Sequence, residues 1–111
     1  MSEMAKERAE PPEPEPVVID GVRYEALLWG KARGLGQNGG LIEAFDNRSG
    51  DSLWVLKVYD IDYDVDMEGD KLDLFIEELA AEGPEALRVV TERGGRYRID
   101  LRDRSVRAIT N

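Results

Sequence analysis

The chain has 111 residues, a formal net charge of −9, no cysteine and no histidine. Without cysteine there is no disulfide framework, thiolate zinc site or cysteine nucleophile. Without histidine the usual general base and metal ligand at neutral pH is missing, so most familiar hydrolase constellations are excluded.

No apolar run approaches the roughly 20 residues that span a bilayer, and the polar start MSEMAKERAE lacks the apolar segment of a secretory signal. The expectation is a cytoplasmic protein, with no membrane partner. The acidity is local: residues 60–82 hold ten acids and one base, whereas residues 83–111 hold four acids and seven bases. A segment that negative disfavours nucleic acid and favours a basic protein partner, a cation or a basic surface of the same molecule.

Residues 1–16 end in EPPEPEP and hold almost nothing apolar, so they cannot repay the entropy of ordering. They read as a disordered Pro/Glu-rich tail, and residues 17–111 as a single globular β-rich domain. In VVIDGVRYEALLW, Asp20-Gly21 stands between two apolar runs, the two-residue turn signal of a β-hairpin. Val22, Tyr24, Ala26 and Leu28 then alternate onto one face.

The stretch WGKARGLGQNGG follows, with a literal G-x-G-x-x-G at Gly34, Gly36 and Gly39. A dinucleotide fold needs the third glycine to open a helix, yet only Gly40 to Asp46 intervene before the NRSG turn. A phosphate loop of the G-x-x-x-x-G-K-[ST] kind fails because Ala32 follows Lys31, and the chain is too short for a kinase. The stretch therefore reads as a long permissive connection between strands. Its functional alternative is an anion-binding nest of backbone N–H groups at Gly34, Gly36, Gly39 and Gly40, with charge from Lys31 and Arg33.

After the short run Leu41 to Asp46 and the NRSG turn comes Leu53 to Ile61, which continues into DIDYDVDMEGD. Read as a strand, that segment sends Asp60, Asp62, Asp64, Asp66 and Glu68 to one side within about 27 Å, at roughly 3.4 Å per residue. As a calcium loop it fails in both registers: from Asp64 the twelfth position is Phe75, and from Asp62 the sixth is Met67 instead of glycine. No metal, cofactor or catalytic residue is assigned. Ten acids in one block show no asymmetry of environment of the kind that separates a catalytic acid from a base.

DKLDLFIEELAAEG carries Leu72, Phe75, Ile76 and Leu79 at i, i+3, i+4 and i+7, with Asp70 as a cap and Gly83-Pro84 as a stop, which is helix spacing. Leu72, Leu74 and Ile76 also alternate as a strand would. Toward the C-terminus, Leu87, Val89 and Thr91 alternate, ERGG supplies a turn, and Tyr97, Ile99 and Leu101 oppose Arg96, Arg98, Asp100 and Arg102. Interleaved with Asp100 and Asp103, Arg96, Arg98 and Arg102 read as a basic stripe that neutralises the acidic segment. The aromatic residues Tyr24, Trp29, Trp54, Tyr59, Tyr63 and Tyr97 read as core or cross-strand pairs rather than a pocket.

The fold expected is mainly β, a small antiparallel sheet or partly open barrel of hairpins, with one helix near 70–82 as an α+β alternative. Two stretches, GGLIEAFDNRSGDSLW and GGRYRIDLRDRSVRAI, share a glycine pair, a short strand ending in aspartate, a polar turn and a second strand. Both resemble the A-x-D-x-x-T-G-x-x-L-W repeat of pyrroloquinoline-quinone-type β-propellers, through Ala44, Asp46, Ser49, Gly50, Leu53 and Trp54 in the first copy. In the second, neither the glycine nor the tryptophan recurs.

Two units cannot close a propeller, so the resemblance implies hairpins and no quinone cofactor. Over residues 17–107 the string WGKARGLGQNGG…SGDSLWVLKVY is similar to a group of small bacterial proteins of unknown function, which implies no activity. Two functional expectations result: a small non-enzymatic protein-binding or regulatory module with an acidic face, or a domain, enzymatic or not, that holds an anionic small molecule at the glycine loop.

Overall fold

The structure, a computed structural model, describes residues 11–61 and 73–109. Among these residues, eight strands form two four-stranded antiparallel sheets in simple up-and-down order, and neither closes into a barrel. The first holds β1 (Val17–Ile19), β2 (Val22–Leu27), β3 (Leu41–Asp46) and β4 (Ser52–Lys57). The second holds β5 (Ile76–Ala81), β6 (Ala86–Thr91), β7 (Arg96–Asp100) and β8 (Ser105–Ile109).

The first hairpin turns where the sequence places it. Asp20 and Gly21 adopt φ of 55° and 81°, the paired left-handed conformation that matches the twist of the flanking strands. Register then sets the faces. Val17, Tyr24, Ala44 and Trp54 form one cross-strand row, and Ala26, Ile42 and Leu56 another. These rows meet Leu79, Leu87, Val89 and Ile99 of the second sheet in one shared core. Ile42, Leu87, Val89 and Ile99 are fully buried, each contributing about 1.5–3 kcal/mol of apolar burial.

The helix spacing at Phe75, Ile76 and Leu79 is produced by a strand. Ile76 pairs with Thr91 and Glu78 with Val90, so Glu77 is an extra residue, a β-bulge. Both Glu77 and Glu78 therefore lie outside while Ile76 and Leu79, three apart, both face the core. An insertion in a period-2 pattern mimics a helical i, i+3 pair, and the expected helix is corrected to β5 over residues 76–81. Residues 70–72 lie outside the described residues.

The two stretches that share the glycine-pair and aspartate pattern occupy equivalent places, the third and fourth strands of their sheets. In each, the aspartate ends the third strand and its carboxylate accepts the backbone N–H two residues on: Asp46 from Arg48 at 2.9 Å, Asp100 from Arg102 at 2.9 Å. The residue four positions on donates to the aspartate carbonyl in a left-handed conformation, Gly50 at φ 83° and Arg104 at φ 64°. Arg104 holds this costly conformation with its guanidinium 5.1 Å from the Trp54 ring centroid, a cation–π contact that ties the two sheets together.

Candidate functional site

The connection between β2 and β3 spans residues 28–40 and is held by hydrogen bonds within itself. A 3₁₀ turn at Gly30–Arg33 is closed by Gly34 at φ 77°, whose N–H donates to the Lys31 carbonyl at 3.0 Å. The Leu35 N–H returns to the Gly30 carbonyl at 3.0 Å, and the Lys31 N–H donates to the Asn38 side-chain oxygen at 3.1 Å. The loop thus uses several of its own N–H groups internally.

Its glycines divide by task. Gly34 and Gly36 take positive φ with open space where a Cβ would stand. Gly39 and Gly40 are packing glycines. A Cβ on Gly39 would lie 2.5 Å from the Leu74 carbonyl oxygen, and one on Gly40 2.8 Å from the Tyr59 ring. Gly30 belongs with them, since a Cβ there would meet the Gln37 carbonyl oxygen and the Leu41 side chain.

Of the basic residues, Arg33 is committed. Its guanidinium forks onto Glu43 with bonds of 2.7 and 3.0 Å, and Ser52 donates a third at 2.7 Å. Glu43 is buried and stands directly opposite Glu25 on β2, a like-charge pair that needs a cation. The Arg33 hydrogen bonds hold the Glu43 carboxyl below its ordinary range against the opposing pull of burial.

The loop and residues 59–61 and 73–74, separate in sequence, come together here. Gln37, buried, donates from its amide nitrogen to the carbonyls of Gly39 at 2.9 Å and Tyr59 at 2.8 Å, and its oxygen accepts the Ile61 N–H at 3.3 Å. Asn38 donates to the Asp73 carboxylate at 3.2 Å. Tyr59 adds a hydroxyl bond to the Leu74 carbonyl at 2.6 Å. Neighbouring loop residues therefore fix the chain on both sides of the segment that begins at Asp60. Asp60 itself is exposed and paired with Lys57 at 2.6 Å, whereas Asp62, Asp64, Asp66 and Glu68 lie outside the described residues.

Beside this clamp stands Trp29, half exposed, with its ring edge-on to Phe75 at 5.4 Å between centroids. Leu35 is also exposed. Four other aromatic residues form structural pairs, Tyr24 with Trp54 at 5.8 Å and Tyr59 stacked on Tyr97 at 5.2 Å, and Phe45 carries the Arg23 guanidinium at 4.8 Å from its ring centroid. Burial, with Asp20 adding to it, pushes the Tyr24 hydroxyl up. Tyr63 lies outside the described residues.

Gln37, Asn38 and Glu43 carry no sequence signal of their roles, since their partners are up to 35 positions away. Among the described residues, no group of three or more acidic side chains is placed to hold a metal ion, and no helix is long and apolar enough to cross a membrane. No family model matches the chain, and no curated protein matches it.

Proposed function

We propose that this protein is a small non-enzymatic binding module that docks a basic protein partner on its acidic segment, beside the glycine loop residues that hold Ile61 and Asp73. The observation that carries the reading is the clamp: Gln37 and Asn38 hold Ile61 and Asp73, the described residues on either side of residues 62–72, beside half-exposed Trp29. An aromatic residue on a rigid support supplies affinity at low entropic cost, and a dense acidic neighbourhood supplies steering and register.

Glu43, Asp100 and Asp103 all have carboxyls displaced downward, toward permanent ionisation, opposite to what a general acid needs. An anionic ligand at the glycine loop has less support, because Arg33 is already bound to Glu43.

The test is fluorescence anisotropy with a lysine-rich peptide carrying one leucine, at low and moderate salt. Replacing Asp62, Asp64 and Asp66 by Asn should abolish binding at low salt, and Trp29→Ala should weaken it at least tenfold at both. If the triple variant loses thermal stability while peptide affinity is unchanged, the carboxylates serve the fold and the reading fails.

A further inference from the structure

The outer face of the second sheet carries a feature that no single strand reveals. Register places Ala80, Arg88, Arg98 and Arg107 in one row across β5, β6, β7 and β8. Neighbouring strands lie about 4.7–4.9 Å apart, so three guanidinium groups project side by side from one surface, an arrangement that repels itself. Arg88 is relieved by Glu78 at 3.3 Å and Glu82 at 3.8 Å.

Asp100, whose carboxylate also feels the Arg98 charge, accepts hydrogen bonds from Arg102 at 2.9 and 3.1 Å. Among the described residues, Arg98 and Arg107 have no carboxylate within ion-pair distance. Between them lies a shallow recess of about 270 Å³ lined by Arg98, Asp100, Ser105 and Arg107.

The geometry points to a binding site for a phosphomonoester dianion seated between Arg98 and Arg107. Two guanidinium groups without an ion pair among the described residues carry two positive charges, which a dianion neutralises and a monocarboxylate does not. Each guanidinium presents a planar fork of N–H donors, and two forks match the three terminal oxygens of a phosphomonoester. The recess has room for one phosphate and a small substituent, and its open side admits a phosphate borne on a larger molecule. Asp100 would oppose an anion were it free, but Arg102 offsets its charge. This recess lies on the second sheet, away from the β2–β3 connection where the docking reading places its partner.

The experiment is an NMR titration of ¹⁵N-labelled protein with phenyl phosphate and with inorganic phosphate at constant ionic strength. It follows the arginine Nε–Hε signals in the wild type and in Arg98→Gln, Arg107→Gln and Arg48→Gln. Arg48, exposed on the β3–β4 turn, controls for unspecific attraction. Saturable shifts at Arg98 and Arg107 are expected, with affinity lowered at least tenfold in Arg98→Gln and Arg107→Gln and unchanged in Arg48→Gln.

Affinity should rise several-fold between pH 5 and pH 7.5 as the second phosphate proton, with a pKa of about 6, is lost. If inorganic phosphate binds as well as phenyl phosphate, the site takes free phosphate; if the ester is preferred, the substituent occupies the recess. Linear shifts, equal loss in Arg48→Gln, or an affinity indifferent to pH would overturn the proposal. So would equal competition per phosphate by single-stranded DNA without a terminal phosphate, which would mark the row as a track for diesters. Arg98→Gln should not lower the melting temperature; a clear drop would show that Arg98 has a structural partner and remove the premise.

Discussion

Gln37→Glu is the sharpest probe of the clamp, because it keeps shape and volume and exchanges one amide nitrogen for oxygen. In the folded protein that nitrogen faces two carbonyl oxygens, at 2.8 and 2.9 Å. An ionised carboxylate there takes this donor away from both carbonyls, at about 1–3 kcal/mol each for a buried group. Protonating it instead costs about 1.36 kcal/mol for each pH unit above the ordinary glutamate value of about 4.3, or about 3.7 kcal/mol at pH 7, and still supplies one donor where two are needed.

The first route costs about 2–6 kcal/mol and the second about 5–7 kcal/mol, so the cheaper sets a deficit of about 2–6 kcal/mol at pH 7. The introduced carboxyl has its folded-state pKa raised above the unfolded value. The ionisation part of its penalty is therefore absent below about pH 4.3, grows as pH rises toward the folded-state pKa and then levels off, so the deficit should shrink at pH 4 to about 1–3 kcal/mol, the cost of the one carbonyl that loses this donor. Urea unfolding of variant and wild type at both pH values, compared at each pH, measures it. A deficit below about 1 kcal/mol at pH 7, or one that does not shrink in acid, would refute the hydrogen-bond assignment on which the clamp rests.

Gly40→Ala should cost about 2–4 kcal/mol, from its positive φ and from contact with Tyr59 and Gln37, whereas Gly36→Ala, at positive φ in open space, should cost about 1–2 kcal/mol; equal losses by chemical denaturation would contradict the division of glycines. The Asp100 carboxyl should titrate at about 2 by carbonyl NMR, held down first by its hydrogen bonds from Arg102, and return toward 3.8 in Arg102→Gln. Any stabilisation it gives is thus present above the ordinary carboxylate range and lost as pH falls toward 2. Deleting one glutamate of the Glu77–Glu78 pair should restore plain alternation and keep cooperative thermal unfolding, whereas deleting Ala80 should abolish it by turning the preceding residues to the wrong face; equal damage from both deletions would count against the bulge.

Local rules made the strands legible. The Asp20-Gly21 turn, the alternation in Tyr97 and Ile99 and the breaks at NRSG and ERGG each depend on residues within a few positions, and the structure places strands accordingly. The bulge at Glu77 misled for the same reason, since periodicity counts residues and cannot see that one of them is unpaired. The roles of Gln37 and Glu43 depend on where residues 22 and 10 positions away arrive in space, which no window reports. Arg98 was visible as one face of its own strand, but the register that sets Arg88 and Arg107 beside it belongs to the sheet. Of the acidic face, Asp60 can be placed, while Asp62, Asp64, Asp66 and Glu68 lie outside the described residues.

The lengths of the connections also set an order of events during folding. In the second sheet every turn spans four residues, 82–85, 92–95 and 101–104, so all its pairings are local. The first sheet must close residues 28–40 before β2 can meet β3, and lengthening a connection from four to thirteen residues adds roughly 1 kcal/mol of closure entropy. Chains collapse first where contacts are near in sequence, so the second sheet should form early and the seating of Gln37 should come late. Both tryptophans, Trp29 and Trp54, belong to the late half. Their fluorescence would lag behind amide protection in β7 and β8, so the interval between the two signals would time the docking of one sheet on the other.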